Sequence, residues 1–524
     1  MSKTLRGLLR NIEPIEVQGD LDIAITGLAQ DSRKVREGDL FVAVCGARQD
    51  GHRFIPDAVR RGARAVLTEN AVMNGSVRNF VRVADSRKAL AKLAANFFEH
   101  PADYLQLIGV TGTNGKTTTT LLIESILKQN GWSAGVVGTL AYRWADKYEK
   151  APMTTPDSLE LNRLFHRMHM DGVTHVVMEV SSHALSLGRI EGCGFRVAIF
   201  TNLSQDHLDF HHTMEDYFNA KELLFNSYLH REKGRAAVIN RDDLFGERLI
   251  GIVKKEDAWT YSIDHSDATV WVRSAEYATA GTQAELVTPK GSIKFHSSLL
   301  GRLNLYNALA AASAALALGI SPEVISAGLE AVTFVDGRLQ RVPVPQHLGF
   351  EVVVDYAHTP DAMEKSLTCL REMTKGRLLV VFGCGGDRDR GKRAIMGEVA
   401  ARLGDVVILT SDNPRSEIPE RIIRDIEPGV QSLGIELIEA GKPARFGKGY
   451  LLEVDRKRAI EIALSMGAPG DMIFIGGKGH ETYQIIGDSI ASFDDRVVVR
   501  NYFAQSTQQP SGLRDYELDS REVD

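Results

Sequence analysis

Cysteine is scarce in this chain: Cys45, Cys193, Cys369 and Cys384 lie far apart in 524 residues, and no C-x-x-C pair occurs. That spacing excludes a zinc-finger framework and suits reduced thiols in a reducing compartment. Long apolar runs are also missing, and none approaches the roughly 20 residues that span a bilayer. The opening Met1-Ser2-Lys3-Thr4-Leu5-Arg6 leads into mixed polar sequence without the apolar core of a secretion signal. Nor is there an excess of positive charge. The net charge of −6 argues against a broad nucleic-acid or anionic-membrane footprint, while leaving room for one local phosphate site. Together these absences predict a cytoplasmic protein that neither binds nucleic acid nor inserts into a membrane. A monomer is expected.

What is present is an ordinary globular composition, 44% hydrophobic and 25% charged, in a chain long enough for two to four domains. Three blocks emerge. Residues 1–104 hold strand-like runs such as Leu40–Val44, with helical stretches around 55–62 and 86–99. A second block, 105–336, opens on the apolar run Leu105–Val110 and continues with apolar runs at Val176–Val180 and Val197–Phe200, separated by helical patterns. This alternation predicts a parallel α/β sheet. The Ala-rich stretch Asn307–Leu318 predicts a helix, with Gly319 placed to end it. In the third block, 337–503, the runs Glu351–Val354, Leu378–Phe382, Val406–Thr410 and Met472–Ile475 each lead into a polar or Gly-rich loop. Ligands collect at the carboxyl ends of such strands, so four chemically loaded loops suggest a shared site. Residues 504–524 have the composition of a disordered tail.

Thr111-Gly112-Thr113-Asn114-Gly115-Lys116-Thr117 lies between an apolar strand and a helical pattern. Glycines let backbone N–H groups turn toward phosphate oxygens, Lys116 adds a point charge, and the Thr117 hydroxyl can ligate Mg²⁺. The strict phosphate-loop pattern has glycine where this chain has Val110. An exposed Gly-rich turn is the bland alternative, and the strand–loop–helix setting favours ATP. Glu179 closes a neighbouring strand, where a magnesium site needs an acid. The run Asp206-His207-Leu208-Asp209-Phe210-His211-His212 could alone suggest zinc. Beside a phosphate loop, one histidine assisting Mg²⁺ is the preferred reading.

These motifs resemble the Mur ligase family, which builds the peptide stem of peptidoglycan. The resemblance is carried by the phosphate loop, Glu179-Val180-Ser181-Ser182-His183, Thr201-Asn202-Leu203-Ser204-Gln205-Asp206-His207-Leu208-Asp209, Asn304 with Asn307, Gly337-Arg338 and Asp355-Tyr356-Ala357-His358, in that order along the chain. It implies a three-domain α/β architecture: a UDP-sugar-binding N-terminal domain, a central phosphate-loop ATPase domain and a Rossmann-like C-terminal domain. It also implies that Lys221 is carbamylated by CO₂ and ligates Mg²⁺ with Thr117, Glu179 and His207; an ammonium could not do so, whereas a carbamate is an anionic oxygen ligand. Gly112 through Thr118, Asn304, Asn307, Arg338, Asp355 and His358 are the implied ATP contacts. Lys116, His207, Lys221 and Arg338 are the implied catalytic set.

Within the family the chain is similar to the branch that extends UDP-N-acetylmuramoyl-L-alanyl-D-glutamate by a third residue. By that match, Gln30, Ser32 and the loop Ala47-Arg48-Gln49 meet the UDP-sugar, although relatives can carry an apolar residue at the position of Gln30. Thr154, Thr155, Ser181, Leu187 and Arg189 meet the sugar-dipeptide, with Leu187 standing where a relative can carry glutamine. The incoming amine is read from Asp412-Asn413-Pro414-Arg415. An arginine fork suits the second carboxylate of meso-diaminopimelate, which lysine lacks. Arg388, Gly477 and Glu481 match the remaining amino-acid contacts. Alone, Asp-Asn-Pro-Arg is an ordinary turn, so the inference leans on its context. Lysine addition is the near alternative. A folylpolyglutamate-synthetase-like ligase, a phosphate-loop kinase or switch, and a degenerate nucleotide-binding regulator stand further off.

Overall fold

A computed structural model describes residues 2–46, 49–70, 77–230, 234–439 and 447–506. The chain forms two compact units, Met1–Thr333 and Phe334–Asp524. Three major sheets run through it, two in the first unit and one in the second. This is the expected three-domain α/β architecture.

The N-terminal sheet orders its strands Glu16–Gln18, Phe80–Arg82, Ala65–Thr68, Asp39–Val42 and Gly27–Ala29; only the first is antiparallel to its neighbour. Helix Ser86–Phe97 lays Leu90, Leu93 and Phe97 over one face, against Leu40, Val42 and Leu67. Asp85 caps its start by accepting from Arg87 N and Lys88 N. Leu159, from helix Ser158–Met170, is buried in the N-terminal core.

The second sheet has eleven strands. Its middle is parallel, in the order Ala134–Val137, His175–Glu179, Gln106–Thr111, Phe195–Phe200, Ala236–Asn240, Ala258–Ser262 and Val270–Ala278. Antiparallel arms extend both edges: Ala141–Trp144 with Lys147–Lys150, and Gly281–Thr288 with Gly291–Ser297. Ala134–Val137, His175–Glu179, Gln106–Thr111, Phe195–Phe200 and Ala236–Asn240 are buried almost throughout, which explains their apolar runs. The Ala-rich helix starts earlier than its composition suggested, spanning Gly301–Ala317, and Gly319 follows it at φ +91°. Its small side chains let it lie close against helix Lys116–Gln129.

The second unit holds a seven-stranded sheet in the order Gln340–Val342, Glu351–Asp355, Met472–Gly476, Leu378–Phe382, Val406–Leu409, Gly449–Leu452 and Glu436–Leu437. All but the first strand run parallel. The four loops singled out in the sequence therefore leave the same edge of one sheet. Helix Asp495–Ser506 extends past the limit of 503 read from composition, and residues 507–524 lie outside the described residues. Among the described residues no helix is long and apolar enough to cross a membrane.

Candidate active site

Strand Gln106–Thr111 lies between His175–Glu179 and Phe195–Phe200, so the loop that follows it opens at the centre of the parallel sheet. Val110, the departure from the strict phosphate-loop pattern, is a fully buried strand residue paired with Glu179 and Ile199. The chain does not turn there, and no glycine is needed. Gly112 and Gly115 are different. Both have positive φ, and a Cβ would sit 1.9 Å from Thr201 Oγ1 at Gly112 and 2.4 Å from Asn307 Oδ1 at Gly115.

Neighbouring motifs hold this loop. Asn114 N donates to Asn202 Oδ1 at 3.1 Å, while Thr201 Oγ1 donates to Asn114 O at 2.6 Å. Asn307 lies near the same loop and joins Asn304 through a 3.1 Å hydrogen bond. Thr118 is buried in the first turn of helix Lys116–Gln129. Lys116 Nζ donates to Gly112 O at 2.9 Å and Thr113 O at 2.8 Å.

The acid at the adjoining strand end is tightly placed. Thr117 Oγ1 donates to Glu179 Oε1 at 3.0 Å, and Thr139 donates to both carboxylate oxygens, from N at 2.8 Å and Oγ1 at 3.0 Å. Sequence reasoning missed Thr139; its one signal was the polar residue after the apolar run Ala134–Val137. Lys221, in helix Met214–Asn226, is buried with Nζ 2.8 Å from Gly112 O and 4.5 Å from the Tyr217 ring centre. Burial, reinforced by Lys116, holds its pKa well below that of an ordinary lysine, although Asp206 opposes the shift. The site thus disfavours the ammonium form relative to water.

His207 has φ +55°, with Nε2 3.4 Å from Asp206 Oδ2, and its pKa is pushed down to about 4, first by burial. The lowered pKa favours the neutral imidazole, the form that ligates metals. His183 stands edge-on to it at 4.8 Å, and His211 Nε2 is 2.9 Å from Ser182 Oγ. Those two histidines are occupied in packing and local hydrogen bonding. Among the described residues no group of three His, Cys, Asp or Glu could hold a metal, so the Asp206–His212 run assembles no zinc site.

The residues matched to the sugar-dipeptide also converge. Thr155 Oγ1 donates to Glu179 O at 2.8 Å, Ser181 N donates to Thr155 Oγ1 at 3.0 Å, and Arg189 Nη1 donates to Thr155 O at 2.9 Å. Thr154 Oγ1 lies 3.1 Å from Thr139 Oγ1. Leu187 ends the short helix Ser182–Ser186 and offers no polar side-chain atom. In the N-terminal sheet, Gln30 is half-buried and Ser32 is buried with its hydroxyl bonded to Asp57. Gly46 N donates to Gln49 O at 2.9 Å, whereas Ala47 and Arg48 lie outside the described residues.

The amino-acid determinants occupy the second unit. Asn413 and Glu481, on different strand-end loops, meet through Asn413 Nδ2 and Glu481 Oε2 at 2.8 Å. Arg415 has φ +51°, and its Nη1 donates to Gly386 O at 2.8 Å. A Cβ at Gly385 would come within 2.9 Å of that nitrogen, so Gly385 leaves room for the guanidinium, whereas a Cβ at Gly386 would meet Pro414 O at 1.8 Å. Asp412 is buried, Pro414 O accepts from Glu417 N at 3.0 Å, and Arg388 is exposed on the facing loop. Gly477 N donates to Asp355 O at 3.1 Å.

Asp355 is a builder of backbone. Its carboxylate accepts from Leu339 N at 2.7 Å, Ala357 N at 3.0 Å and Ser366 Oγ at 3.1 Å, while burial raises its pKa. It thereby fixes the turn carrying Arg338, whose guanidinium lies 4.7 Å from the Tyr356 ring centre. His358 is exposed, with Nδ1 2.8 Å from Tyr356 O.

Sequence models of one family match three successive stretches: the Mur ligase family catalytic domain over residues 24–98, the Mur ligase middle domain over 110–315, and the Mur ligase glutamate ligase domain over 337–479. The chain belongs to the Mur ligase family. A curated relative from Geobacter sulfurreducens, named UDP-N-acetylmuramoyl-L-alanyl-D-glutamate--2,6-diaminopimelate ligase, is 45% identical over 500 residues, covering 94% of this chain and 97% of its own. A solved structure with the same enzyme name is 32% identical, with a TM-score of 0.68, and covers 97% of this chain and 100% of its own. A solved MurF from Acinetobacter baumannii, at 20% identity and TM-score 0.63, covers 91% of this Mur ligase and 95% of itself; it shares the fold.

Proposed function

We propose that this Mur ligase uses ATP to join meso-diaminopimelate to the D-glutamyl residue of UDP-N-acetylmuramoyl-L-alanyl-D-glutamate, in peptidoglycan synthesis. The observation that carries the amine assignment is the pairing of a cation with an anion at one sheet edge. Arg415 is seated on Gly386 O, and Glu481 is held by Asn413. A zwitterionic amino-acid head needs both charges, and an arginine fork favours the additional carboxylate of diaminopimelate over the bare ammonium of lysine.

ATP's γ-phosphoryl passes to the D-glutamyl carboxylate oxygen: the new P–O bond forms as the bond to ADP breaks. Lys116 and Arg338 stabilise the moving charge, and the loop from Gly112 to Thr118, with Asn304 and Asn307, binds the nucleotide. His358 adds a nucleotide contact, and Asp355 acts by fixing the turn beneath Arg338. The amine of diaminopimelate then attacks the acyl carbon, phosphate leaves, and a proton is lost from nitrogen. Ser32, Thr155, Ser181 and Arg189 orient the UDP-linked substrate, while Arg388, Asn413, Arg415, Gly477 and Glu481 bind the amino acid.

The donor set fits Mg²⁺: a hydroxyl on Thr117, a carboxylate on Glu179 and a neutral imidazole on His207. Lys221, whose ammonium form is disfavoured by burial, can as the amine form an N–C bond to CO₂ with loss of a proton and become an anionic oxygen ligand. Bound Mg²⁺ would supply charge neutralisation on the β- and γ-phosphates. Phosphate release should require ATP, the UDP-linked dipeptide and diaminopimelate together. The test offers diaminopimelate and lysine in parallel; product with lysine alone overturns the amine assignment.

A further inference from the structure

Between the two amino-acid loops lies a lysine that the mechanism does not use. Lys478 is fully buried, and its Nζ donates to Asn413 Oδ1 at 3.1 Å and Glu481 Oε2 at 3.1 Å. Asn413 Nδ2 closes the triangle on the same Glu481 oxygen at 2.8 Å. Asn413 Oδ1 also accepts from Ile485 N at 3.0 Å, so the amide cannot turn over without losing bonds at both ends. Among the described contacts, no donor reaches Glu481 Oε1.

We infer that Lys478 is a positioning residue for amine recognition: it locks Glu481 Oε2 into the Asn413 loop and leaves Oε1 to receive the incoming ammonium. The chemistry requires a cation at this point. A Cβ at Gly477 would lie 2.6 Å from Asp412 Oδ2, so a second carboxylate stands beside the residue that precedes Lys478. The buried Lys478 ammonium, with three donors, cross-links the two acceptors Asn413 Oδ1 and Glu481 Oε2. An unpaired carboxylate there would be costly and poorly oriented. Lys478 therefore acts through Glu481, whereas Arg415 is proposed to bind the substrate carboxylate itself.

This inference rests on the diaminopimelate reading, and the kinetics of the full chain separate the two. Replacing Lys478 with methionine keeps length and removes charge. K478M should raise KM for diaminopimelate about ten-fold, the scale of one charge-assisted hydrogen bond. KM for ATP and for the UDP-linked dipeptide should stay within about two-fold. Because Lys478 works through Glu481, K478M should add nothing further in an E481Q background. That double variant removes both members of the Lys478–Glu481 pair, and comparing it with E481Q decides the matter even where K478M alone does not fold. Equal rises in all three KM values, or an additive effect with E481Q, would overturn the positioning role. Wild-type protein without diaminopimelate-dependent phosphate release sinks the functional reading and this inference with it. Wild-type turnover with an unchanged diaminopimelate KM in K478M removes the inference alone.

Discussion

Lys221 Nζ lies 2.8 Å from the carbonyl oxygen of Gly112, the same oxygen that accepts from Lys116 at 2.9 Å. One carbonyl of the phosphate loop thus gathers two lysines, and burial together with the neighbouring charge disfavours protonation of Lys221. A free amine is what CO₂ captures. Lys221→Ala should lower turnover about a hundred-fold or more, with partial recovery in added short-chain carboxylates. Phosphate-release assays with and without acetate measure this, and full activity in the variant would exclude a carbamate ligand.

Arg415 owes its orientation to two glycines. Arg415→Ala should raise KM for diaminopimelate by about ten-fold or more and leave KM for ATP nearly unchanged. Gly385→Ala should have a smaller effect of the same kind, because its Cβ would crowd Arg415 Nη1 at 2.9 Å. Steady-state kinetics with each substrate varied in turn distinguish them; a shared effect on ATP would remove Arg415 from amino-acid recognition.

Glu417 ties the Arg388 loop to the Arg415 loop. It accepts from Arg393 Nη2 at 2.8 Å and from Asp387 N at 2.7 Å, and the Arg393 bond chiefly holds its pKa down at about 2. An unfolded glutamate titrates near ~4.3. Its stabilising contribution is therefore complete above that value and fades as pH falls toward about 2. Denaturant midpoints followed from neutral to acid pH should fall less steeply in Glu417→Gln than in wild type. Identical slopes would mean that the tie carries no pH-dependent stability.

Arg456 and Asp495 form a fully buried pair, with Nε–Oδ1 and Nη2–Oδ2 both at 2.8 Å. Arg456 also donates to Ser411 O at 3.3 Å and Gly476 O at 2.9 Å, clamping the backbone just before both amino-acid loops. Arg456→Met should cost about 3–5 kcal/mol by stranding the Asp495 charge. Adding Asp495→Asn should recover part of that loss. Urea unfolding reads both variants, and a double variant no more stable than the single would argue against a stranded charge.

Much of the site was legible because phosphate chemistry writes itself locally. An apolar strand, Gly112, Gly115, Lys116 and Thr117 stand in one short run, and their backbone geometry follows from their order. The acid Glu179 was legible for a similar reason, since it ends an apolar run. The parallel strands could be read from continuous apolar runs, because burial on both faces removes alternation. The antiparallel arms at 141–150 and 281–297 escaped notice; their mixed, partly exposed sequences carry a weaker pattern.

By itself, the sequence determined the residue types and the local loops that offer them: phosphate-binding backbone, an acid at a strand end, an arginine after Asn413. Only the tertiary structure decided which distant groups share an atom. Lys221 meets Lys116 at Gly112 O, Thr139 closes over Glu179, and Lys478 joins Asn413 to Glu481. Those meetings depend on parallel strands placed side by side in an order unlike their order in the chain. A residue's burial, and hence its charge state, comes from neighbours that its own segment does not contain.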